Sequence, residues 1–380
     1  MTKRAYQERF YPTAEQAELL ARSFGCARFV WNNTLKHRTD AFYQNGEVIP
    51  HWALEKRLVQ LKQDFSWLNE VSSVIFQQLL RDQQQAFKHF WEKRAGYPRF
   101  KSKHRGQSIR LTKAAFRFKD GQLFIAKSSE PLNIHWSFKD GLPSEPSAIT
   151  ISKDAAGRYF VSMLCEFESE PMPVVNKTVG IDLGLKDLFV TSDGFKSGNP
   201  KYIKQYEAKL AYLQRKLAKK RKGSRNRNKL RLKVARVHTK IADCRRDATH
   251  KATRTLINEN QVVCVESLAV KNMIKHPRLA KPIADANWGE FVRQLKYKAQ
   301  GVGRTVVEID RGFPNSKRCP TPGCGHINET LPLEVREWRC PSCGSVHDRD
   351  IAAAINIKTA GLAGLASGAT GTGATTGVVA

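Results

Sequence analysis

The sequence has no long hydrophobic run and comparatively few acidic residues. No segment approaches the roughly 20 consecutive apolar residues that a membrane-spanning helix requires, and residues 1–10 contain no apolar stretch of the kind found in a secretory signal. We therefore expect no membrane association and an intracellular, reducing setting. Asp and Glu total 35 against 64 Lys and Arg, so the 380-residue chain carries a formal net charge of +29. Because 41% of the residues are hydrophobic, this charge indicates a folded protein with a polyanionic partner, most commonly nucleic acid.

The length and the hydrophobic pattern predict two or three domains. A strand is expected over residues 1–12, and amphipathic helices are expected over residues 13–95, beginning at the capping box T-A-E-Q at residues 13–16. Residues 96–170 contain short β-rich runs separated by turn signals such as Asp120-Gly121. This part of the chain is therefore expected to form a β-barrel or a small sheet.

The remainder of the chain alternates short strands with helices. This pattern predicts a mixed α/β layer of the RNase H type over residues 175–314 and 346–360. A long basic helical segment is expected from about residue 202 to 258, with an interruption near Gly223. The glycine-rich residues 361–380 are low in complexity, and we expect them to be disordered.

Three acidic residues stand where packing alone does not explain them. Asp182 and Glu266 each close a short β-branched run, and Asp350 opens a helical pattern. Burying one carboxylate is costly, and three together also repel one another, so a bound divalent cation is the usual resolution. We expect two Mg²⁺ ions, replaceable by Mn²⁺, roughly 3.5–4 Å apart, to activate water against a phosphodiester. Each acid alone could be an exposed carboxylate or a helix cap, and Asp348 is the nearest rival of Asp350.

Four of the eight cysteines are clustered near the C-terminus. Four thiolates complete a tetrahedral shell, which predicts one structural zinc ion in an insert at residues 315–345. Disulfides are the alternative, but a reducing setting argues against them. His326 and His347 are nearby reserve ligands. The predicted zinc ligands are Cys319, Cys324, Cys340 and Cys343.

The basic segment is nearly pure in the sign of its charge. From Lys201 to Lys240 there are sixteen Lys and Arg and a single acid, Glu207. A solvated helix face normally mixes both signs, so this segment favours contacts with phosphate that position a nucleic acid without reading its sequence. The residues predicted to make these contacts are Arg215, Lys219, Lys220, Arg221, Arg225, Arg227 and Lys229.

Several short motifs occur in one order along nearly the whole chain. They are F-Y-P-T-A-E-Q and G-C-A-R-F-V-W-N near the start, a helical motif around Ser73 and Gln77, G-Y-P-R-F-K, an R-x-D-x-x-H-K signature at 245–251, and N-W-G-E-F-V-R-Q-L. In this order they resemble the TnpB family. These are transposon-encoded proteins of bacterial insertion sequences that are similar to the nuclease half of type V CRISPR effectors.

The resemblance implies a multidomain α+β architecture. Residues 1–12 and 96–170 would form a β-barrel wedge, residues 13–95 an inserted helical recognition lobe, and the remainder a RuvC-like nuclease domain with a zinc-binding insert. It also implies a cytoplasmic, prokaryotic, RNA-guided DNA endonuclease, associated with the nucleoid when it is bound to DNA.

The family's motifs also imply partners and site residues. A guide RNA made from the transposon end would pair with double-stranded target DNA while the protein reads a short adjacent motif. We expect a monomer on one RNA. The matching catalytic positions are Asp182, Glu266 and Asp350, and further candidate nucleic-acid contacts are Gln77, Arg81, Lys101 and Lys103.

The chain departs from the family pattern at three places. Ala352 stands where the family usually has asparagine, Ser267 stands where an acid is common, and the first cysteine pair is more widely spaced. Ala352 is expected to lower the rate by weakening the order around the metal ligands. Two alternatives remain: a guided DNA-binding protein without useful nuclease activity, and a transposase that joins DNA ends. Transposases of that kind typically order their acids Asp, Asp, Glu, whereas this chain has Asp, Glu, Asp.

Overall fold

The computed structural model describes residues 2–104, 106–138, 141–332 and 334–368. The chain forms two compact units, Met1–Glu168 and Ser169–Ala380. None of the helices in these described ranges combines the length and the apolar character that a membrane crossing needs.

The first unit contains three long helices. The predicted capping box begins the first of them: the Thr13 hydroxyl accepts from the Gln16 amide, and the Gln16 side chain accepts from the Thr13 amide, each at 3.2 Å. This helix ends at Gly46, whose φ of 67° suits a residue without a Cβ. The helices are α1 (Ala14–Asn45), α2 (His51–Asp64) and α3 (Ser73–Trp91), with 3₁₀ turns at Ser66–Glu70 and Lys113–Ala115.

The strands of the first unit form a five-stranded antiparallel sheet and a separate hairpin. The strands are β1 (Thr2–Phe10), β2 (Gln107–Thr112), β3 (Phe116–Lys119), β4 (Gln122–Ile125), β5 (Ile134–His135), β6 (Ala148–Lys153) and β7 (Tyr159–Phe167). The sheet order is β2-β6-β7-β1-β5, and β3 pairs with β4. Buried residues of the helices and the sheet belong to one continuous hydrophobic cluster. Residues 13–95 therefore share their core with the sheet, and the closed barrel stays a prediction.

The second unit is built on a four-stranded sheet with the order β11-β10-β8-β9. Strands β8, β10 and β11 are parallel, and the short β9 is antiparallel to β8. The elements in chain order are β8 (Thr178–Asp182), β9 (Val190–Thr191), α4 (Tyr202–Ala218), α5 (Arg225–Glu259), β10 (Val262–Glu266), α6 (Val270–Met273), α7 (Ala280–Ala286), α8 (Trp288–Gln300), β11 (Thr305–Ile309), β12 (Glu337–Arg339), β13 (Val346–Asp348) and α9 (Arg349–Ala366).

Helices cover both faces of the parallel strands. Val263 and Val265 of β10 pack into the cluster formed with α5 and α8, while the intervening Cys264 packs with Ile357 of α9. This alternation follows from the two-residue period of a strand. Because both faces are covered, the strand interiors are mostly apolar, with Glu308 of β11 as an exception that pairs with Lys296.

Helix α9 approaches the sheet very closely. A Cβ atom added at Gly180 would lie 2.0 Å from the Ala354 carbonyl oxygen, and one added at Gly361 would lie 2.4 Å from the Cys264 sulfur. The expectation of disorder from residue 361 onward is wrong for residues 361–366, which continue α9 because Gly361 fits against the sheet. Residues 369–380 lie outside the described residues.

Helices α4 and α5 pair through an apolar stripe of their own. Leu213, Val237 and Ile241 form its buried part. The interruption predicted near Gly223 is present, because α4 ends at Ala218 and α5 begins at Arg225. One stripe therefore packs while the outer faces remain cationic.

Candidate functional site

The three predicted acids lie at one edge of the parallel sheet. Asp182 is the last residue of β8 and Glu266 is the last residue of the neighbouring β10. The parallel register pairs Ile181 with Val265, so the two acids that follow lie side by side. Asp350 stands in the first turn of α9, which packs across both strands. Asp182 and Glu266 therefore owe their proximity to strand register, and Asp350 owes its position to helix packing.

The carboxylates repel one another in a partly buried environment. Burial raises the pKa of Asp182 well above its ordinary value, and the charges of Glu266 and Asp350 raise it further. Arg349 opposes this shift. Burial also raises the pKa of Glu266, although hydrogen bonds from the Leu183 amide at 3.0 Å and from Asn315 favour its ionised form. Either protons or cations are needed to relieve this site.

Asp348 has a structural role, which separates it from Asp350. Its carboxylate caps α9 by accepting from the amides of Asp350 at 3.0 Å and Ile351 at 3.1 Å. It also binds the Lys196 ammonium at 2.6 Å. The N-cap role that could have explained Asp350 therefore belongs to Asp348, while the charge of Asp350 acts on Asp182.

One residue beside the acids was missed in the sequence. Arg336 Nη1 lies 3.4 Å from Asp350 Oδ1, and the Arg336 carbonyl accepts from the Arg349 amide at 2.8 Å. Arg336 directly precedes β12, so the hairpin of β12 and β13 carries it to the start of α9. No sequence signal marked it, because one arginine does not stand out in a basic chain.

The four cysteines form a tight group. Their sulfur atoms all lie within 4.8 Å of one another, with Cys319 3.6 Å from Cys343 and Cys324 3.7 Å from Cys340. A tetrahedral ion with Zn–S bonds of about 2.3 Å requires edges of roughly 3.8 Å, whereas a disulfide requires about 2.05 Å. The described residues therefore contain a four-thiol group whose spacing would suit a tetrahedral metal ion.

The two reserve histidines differ in their surroundings. His347 Nε2 lies 3.3 Å from the Cys319 sulfur, so this ring borders the cysteine group. His326 contributes its carbonyl oxygen, which accepts from the Cys319 amide at 2.7 Å. The cysteine group is complete without either ring.

The carboxylates are arranged more openly than the thiols. Among the described residues, one group of three or more His, Cys, Asp or Glu side chains has all its ligand atoms within 4.8 Å of one another, and it consists of the four cysteines. The donor set at the sheet edge nevertheless suits a hard cation, because it consists of carboxylate oxygens and two of the three acids have raised pKa values. The contact of Asp350 with Arg336 involves one carboxylate oxygen, Oδ1.

The predicted basic contacts lie around the turn between α4 and α5. Lys219, Lys220 and Lys229 line an open cavity of about 510 Å³ together with Lys216 and Lys233. Arg215 lies on α4, Arg221 lies in the turn, and Arg225 begins α5. Arg227 also has a structural role, because its guanidinium donates to the carbonyls of Leu217 at 2.8 Å and Lys220 at 2.9 Å.

The R-x-D-x-x-H-K signature anchors the base of this helical hairpin. Arg245 donates to the Ala284 carbonyl at 2.5 Å and lies 3.8 Å from Asp285. Asp285 in turn accepts from the Ile203 amide at 3.0 Å, in the first turn of α4. The signature therefore ties α4 and α5 to α7.

The remaining predicted contacts lie in the first unit. Gln77 and Arg81 are exposed on one face of α3, four residues apart. Lys101 and Lys103 are exposed in the segment before β2, and the Lys101 ammonium lies 4.5 Å from the centre of the Trp31 ring. Their nucleic-acid contacts stay predictions.

Three stretches of the chain match known families. Residues 162–276 match OrfB_IS605, described as a probable transposase. Residues 288–357 match the Cas12f1-like TNB domain, and residues 1–47 match a helix-turn-helix domain. Within this last stretch the structure has one strand and one uninterrupted helix, α1. The TNB match spans α8, β11, the cysteine group and the start of α9.

Two curated relatives match over nearly their full length. A "Putative RNA-guided DNA endonuclease" of Streptomyces pristinaespiralis is 47% identical over 369 residues, covering 96% of this chain and 91% of that protein. InsQ of Escherichia coli K12, also named a "Putative RNA-guided DNA endonuclease", is 31% identical over 387 residues, covering 96% and 94%. Among solved structures, Cas12f1 in a complex with sgRNA and target DNA has a TM-score of 0.58 at 16% identity, covering 91% of this chain and 83% of that chain.

The fold is that of a multidomain α/β protein of the Cas12f1 kind, which confirms the predicted class at this level. The chain belongs to the TnpB family, as the order of its motifs predicted.

Proposed function

We propose that this protein is an RNA-guided, Mg²⁺-dependent DNA endonuclease encoded by an insertion sequence. The observation that carries the proposal is the meeting of Asp182, Glu266 and Asp350 at the carboxyl edge of the sheet, where burial and mutual repulsion raise the pKa of Asp182. Such a site lacks a structural purpose and suits cations that act on a phosphodiester.

The three carboxylates would hold two Mg²⁺ ions, for which Mn²⁺ is a substitute. When bound, the ions supply Lewis acidity that activates water and stabilises the leaving oxygen. The chain's own residues orient the ligands: the Leu183 amide fixes one Glu266 oxygen, and Asp348 fixes the first turn of α9. Arg336 is a cation that lies against Asp350 and is available to the phosphate once that contact opens.

One zinc ion would be held by Cys319, Cys324, Cys340 and Cys343. Its role would be structural, because four thiolates leave no open position. Cys340 follows β12 directly, and Cys343 lies just before β13, so the metal would fix the hairpin that leads into Asp350. The insert at residues 315–345 would in this way support the geometry of the carboxylate site.

The proposed partners are a guide RNA from the transposon end and double-stranded target DNA. Relatives of this chain are named for RNA guidance, and Cas12f1 was solved with sgRNA and target DNA. The cations at the turn of α4 and α5 supply phosphate contacts without reading sequence. Base pairing with the guide RNA would then select the target, and Gln77 and Arg81 would contact the adjacent motif. The protein would act in the bacterial cytoplasm, as a monomer on one RNA.

The domain division that we propose follows the motifs. Residues 1–12 and 96–170 are the wedge, residues 13–95 the recognition lobe, and residues 175–314 and 346–360 the nuclease domain. The boundary between the compact units, after Glu168, lies two residues before the proposed end of the wedge.

The test is cleavage of a matched duplex by protein purified with its co-expressed RNA. Wild type should cut in Mg²⁺, and Asp182→Ala should lose roughly 10³-fold or more in rate, since metal-ion stabilisation contributes several kcal/mol and each tenfold corresponds to about 1.36 kcal/mol. Asp193→Ala is the control, because its carboxylate pairs with exposed Lys177. Cleavage that survives Asp182→Ala contradicts the proposal.

The second candidate is a guided DNA-binding protein without useful nuclease activity. It is favoured by the open spacing of the carboxylates, by the ion pair that occupies Asp350, and by Ala352 in place of the family's asparagine. Unchanged DNA occupancy with no cut at any Mg²⁺ or Mn²⁺ concentration would support it over the nuclease.

A further inference from the structure

A cleft in the first unit has features that neither the acids nor the basic hairpin explains. It has a volume of about 730 Å³ and lies along the outer face of α1, between that helix, Trp67 and Phe100. All of its lining residues fall between Arg22 and Phe100, so it belongs to one compact unit. The cleft opens over Gly25, where an added Cβ would meet no atom within 4 Å.

The rim of the cleft presents aromatic rings to solvent. Phe100 is 56% exposed and Trp67 is 39% exposed. Trp67 is held in place by Phe29, whose ring centre lies 4.9 Å away in an edge-on arrangement. Exposed aromatic rings that flank a cleft mark a binding surface, and the flat faces of unpaired bases are well suited to stack on them.

Cations accompany these rings. Arg22, Arg28 and Lys36 line the cleft, and Glu70 is the single acid among its described lining residues. Arg22 pairs with Glu70 at 3.1 Å and Lys36 pairs with Asp40 at 2.5 Å, and both are exposed, weak ion pairs that a phosphate can replace. A second cavity of about 280 Å³ shares Arg28 and Phe100 with the first and adds Arg99 and Lys101 without adding an acid. The groove therefore combines aromatic faces with a track of positive charge, which is the combination that binds single strands.

Hydrogen bonds hold the exposed Phe100 in position. The Asn32 side chain donates to the Lys101 carbonyl at 3.0 Å and accepts from the Lys101 amide at 2.8 Å. On the other side of Phe100, the Trp31 indole donates to the Arg99 carbonyl at 3.0 Å. Both backbone neighbours of Phe100 are thus fixed to α1. The ring is exposed without being free to move with a loose loop, so the cleft is preformed.

We propose that this cleft binds unpaired nucleotides of the RNA partner. A base stacks against Phe100 and Trp67, and the adjoining phosphates lie beside Arg22, Arg28 and Lys36. A paired strand is a poor occupant because its base faces are already stacked. RNA is favoured over DNA because the proposed DNA partner is double-stranded, so its bases are already paired and stacked. The inference rests on the proposed RNA-guided function and assigns unpaired nucleotides of the guide RNA to this cleft.

The test compares oligonucleotides with and without bases, so that the general attraction of a highly positive chain cancels. Full-length protein freed of RNA is titrated with a labelled 12-nucleotide oligouridine and with the abasic ribose-phosphate chain of the same length. The ratio of the two affinities reports stacking alone. The same pair is made with deoxyribose, and a double-stranded RNA serves as a further probe.

Two variants address the cleft and one addresses a matched surface. Phe100→Ala removes the exposed ring, and Gly25→Trp fills the floor of the cleft, where the structure leaves room for a side chain. Tyr43→Ala is the control, since Tyr43 is also on α1 and is 77% exposed, but it does not line the cleft. We expect both cleft variants to reduce the RNA ratio about 5- to 100-fold, the scale of one stacked base, and Tyr43→Ala to leave it unchanged.

Three outcomes would overturn the inference. They are an absence of base preference in the wild type, a ratio that both cleft variants retain, and a larger ratio for deoxyribose than for ribose, which would assign the cleft to DNA. These measurements need no cleavage. A protein that fails to cut DNA but shows the expected ratios contradicts the proposed nuclease activity and leaves the cleft assignment intact.

Discussion

The cysteine group and the carboxylate group lie in the same unit but are assembled in opposite ways. The cysteines come from two turns within 25 residues, and their sulfur atoms all lie within 4.8 Å of one another. The acids come from β8, β10 and α9 and meet only through tertiary packing. Hydrogen bonding from Ser345 lowers the pKa of Cys343, whereas burial raises the pKa of Cys319 and of Asp182. Both groups therefore contain buried ligands, but local assembly has drawn the thiols together and distant assembly has left the carboxylates more widely spaced.

The largest effect is expected from disrupting the cysteine group. Cys340→Ser removes a buried thiol from the proposed zinc site, and structural zinc in small domains contributes about 10–16 kcal/mol of apparent binding free energy. Residues 315–345 should then lose protection in hydrogen exchange, and bound zinc should fall below one ion per chain. Cys244→Ser, outside the group, is the control and should keep both. A fully protected insert in the zinc-free variant would contradict the structural role.

The raised pKa of Asp182 predicts that the stability of the protein depends on pH. With its pKa raised, Asp182 in the folded, Mg²⁺-free protein keeps a proton that the unfolded chain has lost above the ordinary value of 3.8. The contribution of Asp182 to stability is therefore greatest below that value and is lost as the pH rises through the folded pKa. Asp182→Asn should be more stable than wild type, by a margin that grows with pH and shrinks when Mg²⁺ is added. Denaturant titrations between about pH 5 and 8 measure the difference in the free energy of unfolding between the two proteins. A difference that stays constant with pH would refute the raised pKa of Asp182.

The packing that brings the third acid to the site can be loosened by one methyl group. Gly180→Ala places a Cβ against the Ala354 carbonyl, and overpacking of this kind costs about 1–3 kcal/mol. The variant should also slow cleavage, because α9 carries Asp350. Gly364→Ala, on the same helix with no atom within 4 Å of the new Cβ, should stabilise by roughly 0.5–1 kcal/mol. Equal effects of the two substitutions on the free energy of unfolding would show that the close approach is unimportant.

The smallest effect is expected at Ala352, where the chain departs from its family. Ala352→Asn restores the usual amide near the first turn of α9, and we expect single-turnover cleavage to rise by up to about tenfold, at the lower end of such supporting effects. Ala353→Asn is matched in burial, since both alanines are 1% exposed, and it should lower stability without raising the rate. A slower Ala352→Asn enzyme would show that alanine suits this chain.

Local features of the fold could be predicted from the sequence. The capping box at Thr13 and Gln16, the break before α5 and the strands that end in Asp182 and Glu266 each depend on residues close together in the chain. The four cysteines were recognisable for the same reason, because metal-ligand spacing is local.

Features that depend on distant contacts could not be predicted in this way. The low-complexity stretch after residue 360 indicated disorder, yet α9 continues to Ala366 because Gly361 packs on Cys264 of β10. Arg336 gave no signal, since its partner Asp350 is reached only when β12 and β13 pair. Asp348 and Asp350 were rivals until the N-cap hydrogen bonds distinguished them.

The order of the site along the chain has a consequence for copies of the gene that decay. Helix α9 follows the cysteine insert, so any frameshift within residues 315–345 deletes Asp350 while leaving β8, β10 and the paired basic helices encoded. Such damaged copies would also lose the cover of one sheet face, because Cys264, Val307 and Ile309 pack against Ile357 of α9. A single late frameshift would therefore remove a predicted metal ligand and expose part of the core at the same time.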